Sequence, residues 1–277
     1  MSAVNNNARI YALEFRPLER FSRNNLDRPD YPALVWSIVC PGFLIGLFIV
    51  RKMFLEEKAP EEWLDKAFVY IVVGAVVGAR LGHVFFYDWP YYSQHLAEIP
   101  QVWKGGLASH GGAIGIILSL WIFSKRVSKK PLLWILDKVV VPTALAGCFI
   151  RLGNLMNSEI LGNPTTVSWG FVFERVDGPN GLARHPVQLY ESLSYLISFV
   201  VLYYTYWRTE KRHKLGYLFG LFMIFIWGIR FIMEYFKSSQ GGFETAFNNV
   251  LSTGQLLSIP FVLIGVYFVL RPVKATV

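Results

Sequence analysis

Three arginines, Arg80, Arg151 and Arg230, fall inside stretches that otherwise read as membrane-spanning helices. A charged side chain held in hydrocarbon costs ~2.5–3.5 kcal/mol on insertion scales, so such groups belong in a polar cavity rather than against lipid. Several cations in one cavity suit an anion. In a membrane the abundant anion is a lipid phosphate, which a guanidinium grips through two parallel hydrogen bonds. The chemistry indicated is recognition of an anionic lipid inside the membrane.

Each arginine has polar company. In the run from Ile150 to Gly162, Arg151 and Asn154 are three apart and share a helix face. Asn157 and Glu159 continue past the expected helix end, and Gly153 lets a backbone or ligand come close. Solvated residues at a helix end would explain Asn157 and Glu159, but not Arg151 a turn deeper. A second cluster, Gly105-Gly106-Leu107-Ala108-Ser109-His110-Gly111-Gly112, opens a span with a histidine flanked by glycines. Imidazole is the side chain best suited to proton transfer near neutral pH. In a third, Gly228 to Lys237, Arg230 and Glu234 have the i, i+4 spacing of a helix-face pair, which a purely structural ion pair would also explain. A fourth, Gly78 to Tyr87, carries Arg80. The fifth runs from Arg184 to Glu191: Pro186 fits the first turn of a helix, and Gln188, Tyr190 and Glu191 follow it into the membrane.

The elements that must position these groups are apolar helices. The chain has 277 residues, 53% of them hydrophobic, with aromatic residues at 16%. The apolar residues come in blocks, the signature of membrane spans. Spans are expected at 34–55, 67–87, 107–124, 132–156, 187–206, 216–236 and 252–270. The fold expected is all-α: a polytopic membrane protein of about seven transmembrane helices. It divides into an N-terminal extracytoplasmic segment, 1–33, and a transmembrane domain, 34–277. The outer loop 163–185 of that domain, with Gly170, Gly178, Pro179 and Gly181, forms a small extracytoplasmic cap.

The net charge of +8 does not imply nucleic acid, because the cations sit in alternate loops. Arg51, Lys52, Lys58 and Lys66 follow the first span; Lys125, Arg126, Lys129 and Lys130 the third; Arg208, Lys211, Arg212 and Lys214 the fifth; Arg271 and Lys274 the last. The positive-inside rule puts these in the cytoplasm with the C-terminus and leaves the N-terminus outside. The N-terminal arginines dissent, interleaved with Glu14, Glu19, Asp27 and Asp30. The first 33 residues lack an apolar core, so no cleavable signal peptide is expected. Cys40 and Cys148 are expected as buried thiols, and no metal-ligand spacing exists. Under this topology all five clusters lie in the outer halves of their spans, which implies a cavity open to the extracytoplasmic leaflet.

These motifs resemble the bacterial prolipoprotein diacylglyceryl transferase family. The run Arg151-Leu-Gly-Asn154-Leu-Met-Asn157-Ser-Glu159-Ile-Leu-Gly162 looks like its signature. Gly78-Ala79-Arg80-Leu81-Gly82, Ser109-His110-Gly111-Gly112, the stretch from Arg184 to Glu191, and Gly254-Gln255-Leu256-Leu257-Ser258-Ile259-Pro260 are similar and come in family order. The first span departs: Val35 to Gly42 lacks that family's Tyr-Gly pair, with Tyr31 a little upstream.

The resemblance implies transfer of diacylglycerol from phosphatidylglycerol to the lipobox cysteine of a preprolipoprotein signal peptide, at the outer leaflet of the bacterial inner membrane. It implies neither cofactor nor metal. His110, Arg151 and Arg230 take the catalytic positions, the arginines as phosphate clamp and His110 as base for the thiol. Substrate contacts are expected from Arg80, Asn154, Asn157, Glu159, Gly162, His185, Gln188, Tyr190, Glu191 and Glu234, with Glu234 orienting Arg230. The rival readings are an intramembrane anion or proton-coupled transporter, which would show inverted repeats and mid-membrane polar residues, and a heptahelical receptor, which has no use for three intramembrane arginines.

Overall fold

The computed structural model describes residues 30–178, 180–237 and 251–272. Most of the expected segment 1–33, together with Pro179 and Lys274, lies outside the described residues. Nine α-helices occur among the described residues: α1 Asp30–Glu56, α2 Glu62–Phe86, α3 Trp89–Tyr92, α4 Ser109–Phe123, α5 Leu132–Met156, α6 Glu174–Asp177, α7 Val187–Arg208, α8 Tyr217–Met233 and α9 Thr253–Leu270. All seven expected spans fall on helices. Four stretches are long and apolar enough to cross a membrane by length and composition: Ser37–Glu56, Glu62–Phe86, Leu132–Met156 and Tyr217–Phe236. Of the others, α4 has only 15 residues. Helix α7 is long enough but carries Gln188, Glu191, Ser192, Ser194 and Ser198, which lower its hydropathy. Pro41, Pro142 and Pro260 lie inside α1, α5 and α9, as membrane helices tolerate.

The described residues form two compact units, one drawn from Met1–Leu47 and Val140–Val277, the other Phe48–Val139. In the second unit α2 and α4 pack face to face through small residues four apart. Gly74, Gly78 and Gly82 on α2 meet Gly111, Gly115 and Ser119 on α4. A Cβ on Gly78 would strike the Gly111 carbonyl, and one on Gly115 the Gly74 carbonyl. Such spacing lets helix backbones touch where lipid offers no hydrophobic drive to bring them together. At the start of α5, Lys138 ion-pairs with Glu57 at 3.2 Å and lies 4.0 Å from the Trp134 ring centroid, while Trp134 Nε1 donates to Glu57. This buried charge is therefore paired and hydrogen-bonded, the condition for its tolerance there.

In the first unit α8 and α9 approach through Gly220 and Gly265 and stack Trp227 on Phe261 at 4.1 Å. Helix α9 begins with a capping box in which the Ser252 side chain and Gln255 satisfy each other's backbone N–H. The loop 163–185 is not the purely helical or irregular segment an all-α chain implies. Strand β1, Phe171–Val172, pairs antiparallel with β2, Ala183–Arg184, and the short α6 lies between them. Isolated bridges join Pro164 to Arg184 and Gly162 to Lys237. Leu155, Phe171 and Phe173 form its small core, with Leu161 and Leu189 packed against it. Of the two cysteines, Cys148 is buried and its sulfur lies 3.1 Å from Ser192 Oγ; Cys40, expected buried, sits on an exposed face of α1.

Candidate active site

The first unit gathers most of the expected site around one carboxylate. Glu191, on the first turn and a half of α7, is fully buried, and two cations share it. Arg151 Nε lies 2.8 Å from Oε2 and Lys237 Nζ 2.8 Å from Oε1. One negative charge facing two positive ones leaves the group a net cation. A buried charge excess is unfavourable by itself and favourable once an anion completes it. The Arg151 guanidinium also lies 6.0 Å from the Tyr195 ring centroid.

From Arg151 a polar chain runs along the end of α5. Arg151 Nη1 donates to Asn154 Oδ1 at 3.3 Å, and Asn154 Nδ2 donates to Glu159 Oε2 at 2.8 Å. Asn157 Nδ2 donates to Glu159 Oε1 at 3.2 Å. The turn that presents Glu159 is strained. Ser158 and Ile160, on either side of it, have φ of 54° and 57°, the left-handed region that a β-branched residue avoids. Gln188 holds the turn in place: it is fully buried and its Nε2 donates to the Glu159 carbonyl at 2.6 Å. Arg175 from the loop 163–185 donates to the Met156 carbonyl at 3.0 Å.

Gln188, expected at the substrate, is buried and holds the backbone of the Glu159 turn. Gly162, expected there too, is tightly packed. It is buried where the chain crosses the His185 backbone, a Cβ there would strike the His185 carbonyl, and Arg184 Nη1 donates to its carbonyl at 3.2 Å. Arg184 grips Asp177 through two hydrogen bonds of 2.6 and 2.7 Å, and these hold the Asp177 carboxyl below its ordinary value. His185 and Tyr190 meet Phe236 edge-on, with ring centroids 5.2 and 6.0 Å away. The Tyr190 hydroxyl accepts a hydrogen bond from Trp169 Nε1 at 2.8 Å and lies 3.3 Å from His185 Nδ1.

Arg230 and Glu234 do not pair. The α-helix ends at Met233, and Glu234 begins a 3-10 turn, Glu234–Phe236. Its carboxylate turns toward α9, where the missing side chain of Gly254 leaves it room; a Cβ there would lie 2.5 Å from it. Arg230 lies over Trp227, 5.6 Å from the ring centroid, and its buried Nε has no hydrogen-bond partner among the described residues. An orphaned guanidinium N–H is a donor waiting for a ligand.

The second unit holds Arg80 and His110. Arg80 is 2% exposed, and its guanidinium closes on the loop that follows α3. Nε donates to the Ile99 carbonyl at 2.7 Å, Nη2 to Glu98 at 2.7 Å, and Nη1 to Gly105 at 2.6 Å and Gly106 at 3.4 Å. Tyr92 covers it, 4.9 Å from ring centroid to guanidinium carbon. Arg80, expected at the substrate, is buried here with its guanidinium hydrogen-bonded to four backbone carbonyls. His110 is the second residue of α4 and is exposed.

Sequence reasoning passed over Lys237, the second partner of Glu191. Its signal was there: a basic residue three positions after Glu234, at the close of an apolar run. It also missed Trp169 and Arg175, for which no local pattern exists.

The class is that of a helical protein with membrane-length apolar helices and intramembrane cations exceeding their carboxylate partners. The family model described as prolipoprotein diacylglyceryl transferase matches residues 36–271, and the chain belongs to that family, one of transferase enzymes. It is similar to the phosphatidylglycerol–prolipoprotein diacylglyceryl transferase of Tolumonas auensis, 48% identical over 244 residues, covering 87% of this chain and 92% of that protein. Proteins of the same name from Chloroherpeton thalassium and Porphyromonas gingivalis are each 46% identical. They cover 84% and 83% of this chain, and 85% of their own lengths.

Proposed function

We propose that this protein transfers the diacylglyceryl group of phosphatidylglycerol to the lipobox cysteine of a preprolipoprotein, releasing glycerol phosphate, as the first step of lipoprotein maturation. The observation that carries the reading, beside family membership, is the pair Arg151 and Lys237 on the single buried carboxylate of Glu191. That arrangement is short of one anion. The lipid phosphate supplies it, and Arg230 offers its unpaired Nε to the same group.

The cysteine must act as thiolate. Its proton passes to His110, whose ring is exposed at the opening of α4. The sulfur forms a bond to the glycerol carbon that carries the phosphate ester. The carbon–oxygen bond breaks, and its electron pair leaves on the glycerol phosphate oxygen. Arg151, Lys237 and Arg230 stabilise that developing charge, a term commonly worth a factor of 10²–10³ for each well-placed donor. Asn154, Asn157 and Glu159 hold the headgroup hydroxyls; His185 and Tyr190 border the site; Glu234 fixes the end of α8 against α9. Gln188, Gly162 and Arg80 act through the backbones they hold.

The protein sits in the bacterial inner membrane with seven crossing helices, the N-terminus outside and the C-terminus in the cytoplasm. Residues 34–277 form the catalytic membrane domain, whose site faces the extracytoplasmic leaflet. The distribution of basic loops supports this orientation, with the loop 163–185 as a small extracytoplasmic cap.

The test is transfer of a radiolabelled diacylglyceryl group from phosphatidylglycerol to a lipobox peptide by purified protein, beside Arg151→Ala. Label on the peptide cysteine with wild type and none with the variant is the expected result. Folded wild-type protein that labels nothing would overturn the reading.

A further inference from the structure

The turn between α4 and α5 does not belong to the site above. The last α-helical residue of α4 is Phe123, and Ser124–Ser128 widens into a π-helical turn, a feature that often marks functional positions. Lys129 follows with φ of 54°, unusual for a residue with a side chain. The turn is tied down: Ser124 Oγ donates to the Lys130 carbonyl at 2.5 Å, and Lys129 Nζ donates to the Lys125 carbonyl at 2.8 Å. These bonds frame a pocket of about 480 Å³ lined by Trp121, Ser124, Lys125, Lys129, Lys130, Pro131 and Leu132.

Three ammonium groups thus border one pocket whose lining contains no carboxylate. The sequence has no Asp or Glu between Glu98 and Asp137, and none of the three lysines forms an ion pair among the described residues. The start of α5 borders the same pocket and adds the positive end of a 25-residue helix. The exposed indole of Trp121, a residue type that favours the level of lipid headgroups, also lines the pocket. A polar, cationic floor beside an apolar aromatic wall matches the junction of a phospholipid, where phosphate meets glycerol and acyl chain.

We propose that this pocket binds the phosphate headgroup of an anionic phospholipid. Lys125, Lys129, Lys130 and the N-terminus of α5 hold the phosphate, and Trp121 lies along the glycerol and first acyl carbons. The site is at the end of α4 opposite His110, roughly 20 Å away along the helix at 1.5 Å per residue. It therefore holds a lipid that is not the one being consumed. That lipid fastens the α4–α5 turn to the membrane surface and makes the fold sensitive to the anionic content of that leaflet.

The experiment uses the full-length protein in nanodiscs of phosphatidylcholine containing a small fraction of phosphatidylglycerol with a photoactivatable headgroup. Cross-linked peptides are mapped by mass spectrometry. Labelling of segment 121–132 is expected in wild type. It should fall by about tenfold or more when Lys125, Lys129 and Lys130 are all changed to Gln, since each lysine near a lipid surface contributes enough for several-fold in affinity. The triple Lys→Arg variant keeps the labelling, which separates lost charge from a damaged turn. A phosphatidylcholine probe should not label the segment, and excess soluble glycerol phosphate should not compete. Equal labelling of the Gln variant, equal labelling by the phosphatidylcholine probe, loss of labelling in the Arg variant, or displacement by soluble glycerol phosphate would each overturn the proposal.

Discussion

Arg80 and Arg151 are the same residue type in the same kind of place, inside apolar helices, yet their hydrogen-bond accounts differ. Arg80 meets four carbonyls of its own loop and is shut away from solvent. Arg151 shares one carboxylate with Lys237 and touches one amide. The first guanidinium is engaged by neutral backbone and gives the loop a fixed shape. The second belongs to a group with more positive charge than negative. A charged residue in a membrane helix is thus no guide to its job until its partners are counted. An excess of cation over carboxylate points to a ligand, and a full set of carbonyls points to architecture.

That contrast can be broken by mutation. The largest effect is expected at Arg151. Arg151→Lys keeps the charge but loses the planar fork, and transfer to a lipobox peptide should drop by about 10²–10³; near-wild-type turnover would remove Arg151 from the phosphate site. His110→Gln should cost on the order of 10² or more in kcat, while phosphatidylglycerol still binds, as a lipid-retention measurement would record. Glu191→Gln leaves two cations without their counter-charge. Loss of one partner from a buried ion pair costs about 3–5 kcal/mol, so the melting midpoint should fall markedly. Added anionic lipid should restore part of that loss, whereas no lipid should rescue a defect at Arg80.

Arg80→Lys sharpens the comparison from the other side. One ammonium cannot reach all the carbonyls, and each one stranded costs about 1–3 kcal/mol. Stability should fall, while KM for lipid in the surviving folded protein changes little. A large rise in KM would mean that Arg80 touches substrate after all. The smallest effect is at Asp177. The Asp177 carboxyl titrates below its ordinary value because of Arg184. Its contribution is therefore complete above the unfolded carboxyl's pKa near 4 and disappears as pH falls through the lower folded value. Asp177→Asn should remove that acid-side dependence from the melting curve, at a cost of under about 1 kcal/mol near neutral pH.

The helices were legible because each long apolar block must bury or face lipid along its whole length, and a block of that kind has few other structures open to it. The expected spans accordingly coincide with helices α1, α2, α4, α5, α7, α8 and α9. The pairing of Arg151 with Asn154 was legible too, since three residues on a helix fix the geometry. Arg230 and Glu234 show where such local rules stop. Their spacing predicts a pair only while the helix continues, and Gly254, twenty residues beyond Glu234 in sequence, offers the carboxylate another place. Lys237, Gln188 and the hairpin of Phe171 with Arg184 depend on segments brought together by the fold, and no periodicity encodes such meetings. The glycines of α2 and α4 were visible as motif letters, but their role as a contact surface emerges only when both helices are placed.

The turn around Glu159 sets two pressures against each other. Glycine at Ile160 would relax a backbone that a β-branched side chain resists, and by that measure the protein should become easier to fold. The same change would loosen the one carboxylate that Asn154 and Asn157 both reach for. Stability engineering that scans for unfavourable dihedrals would choose this position early, and would gain melting temperature at the expense of turnover.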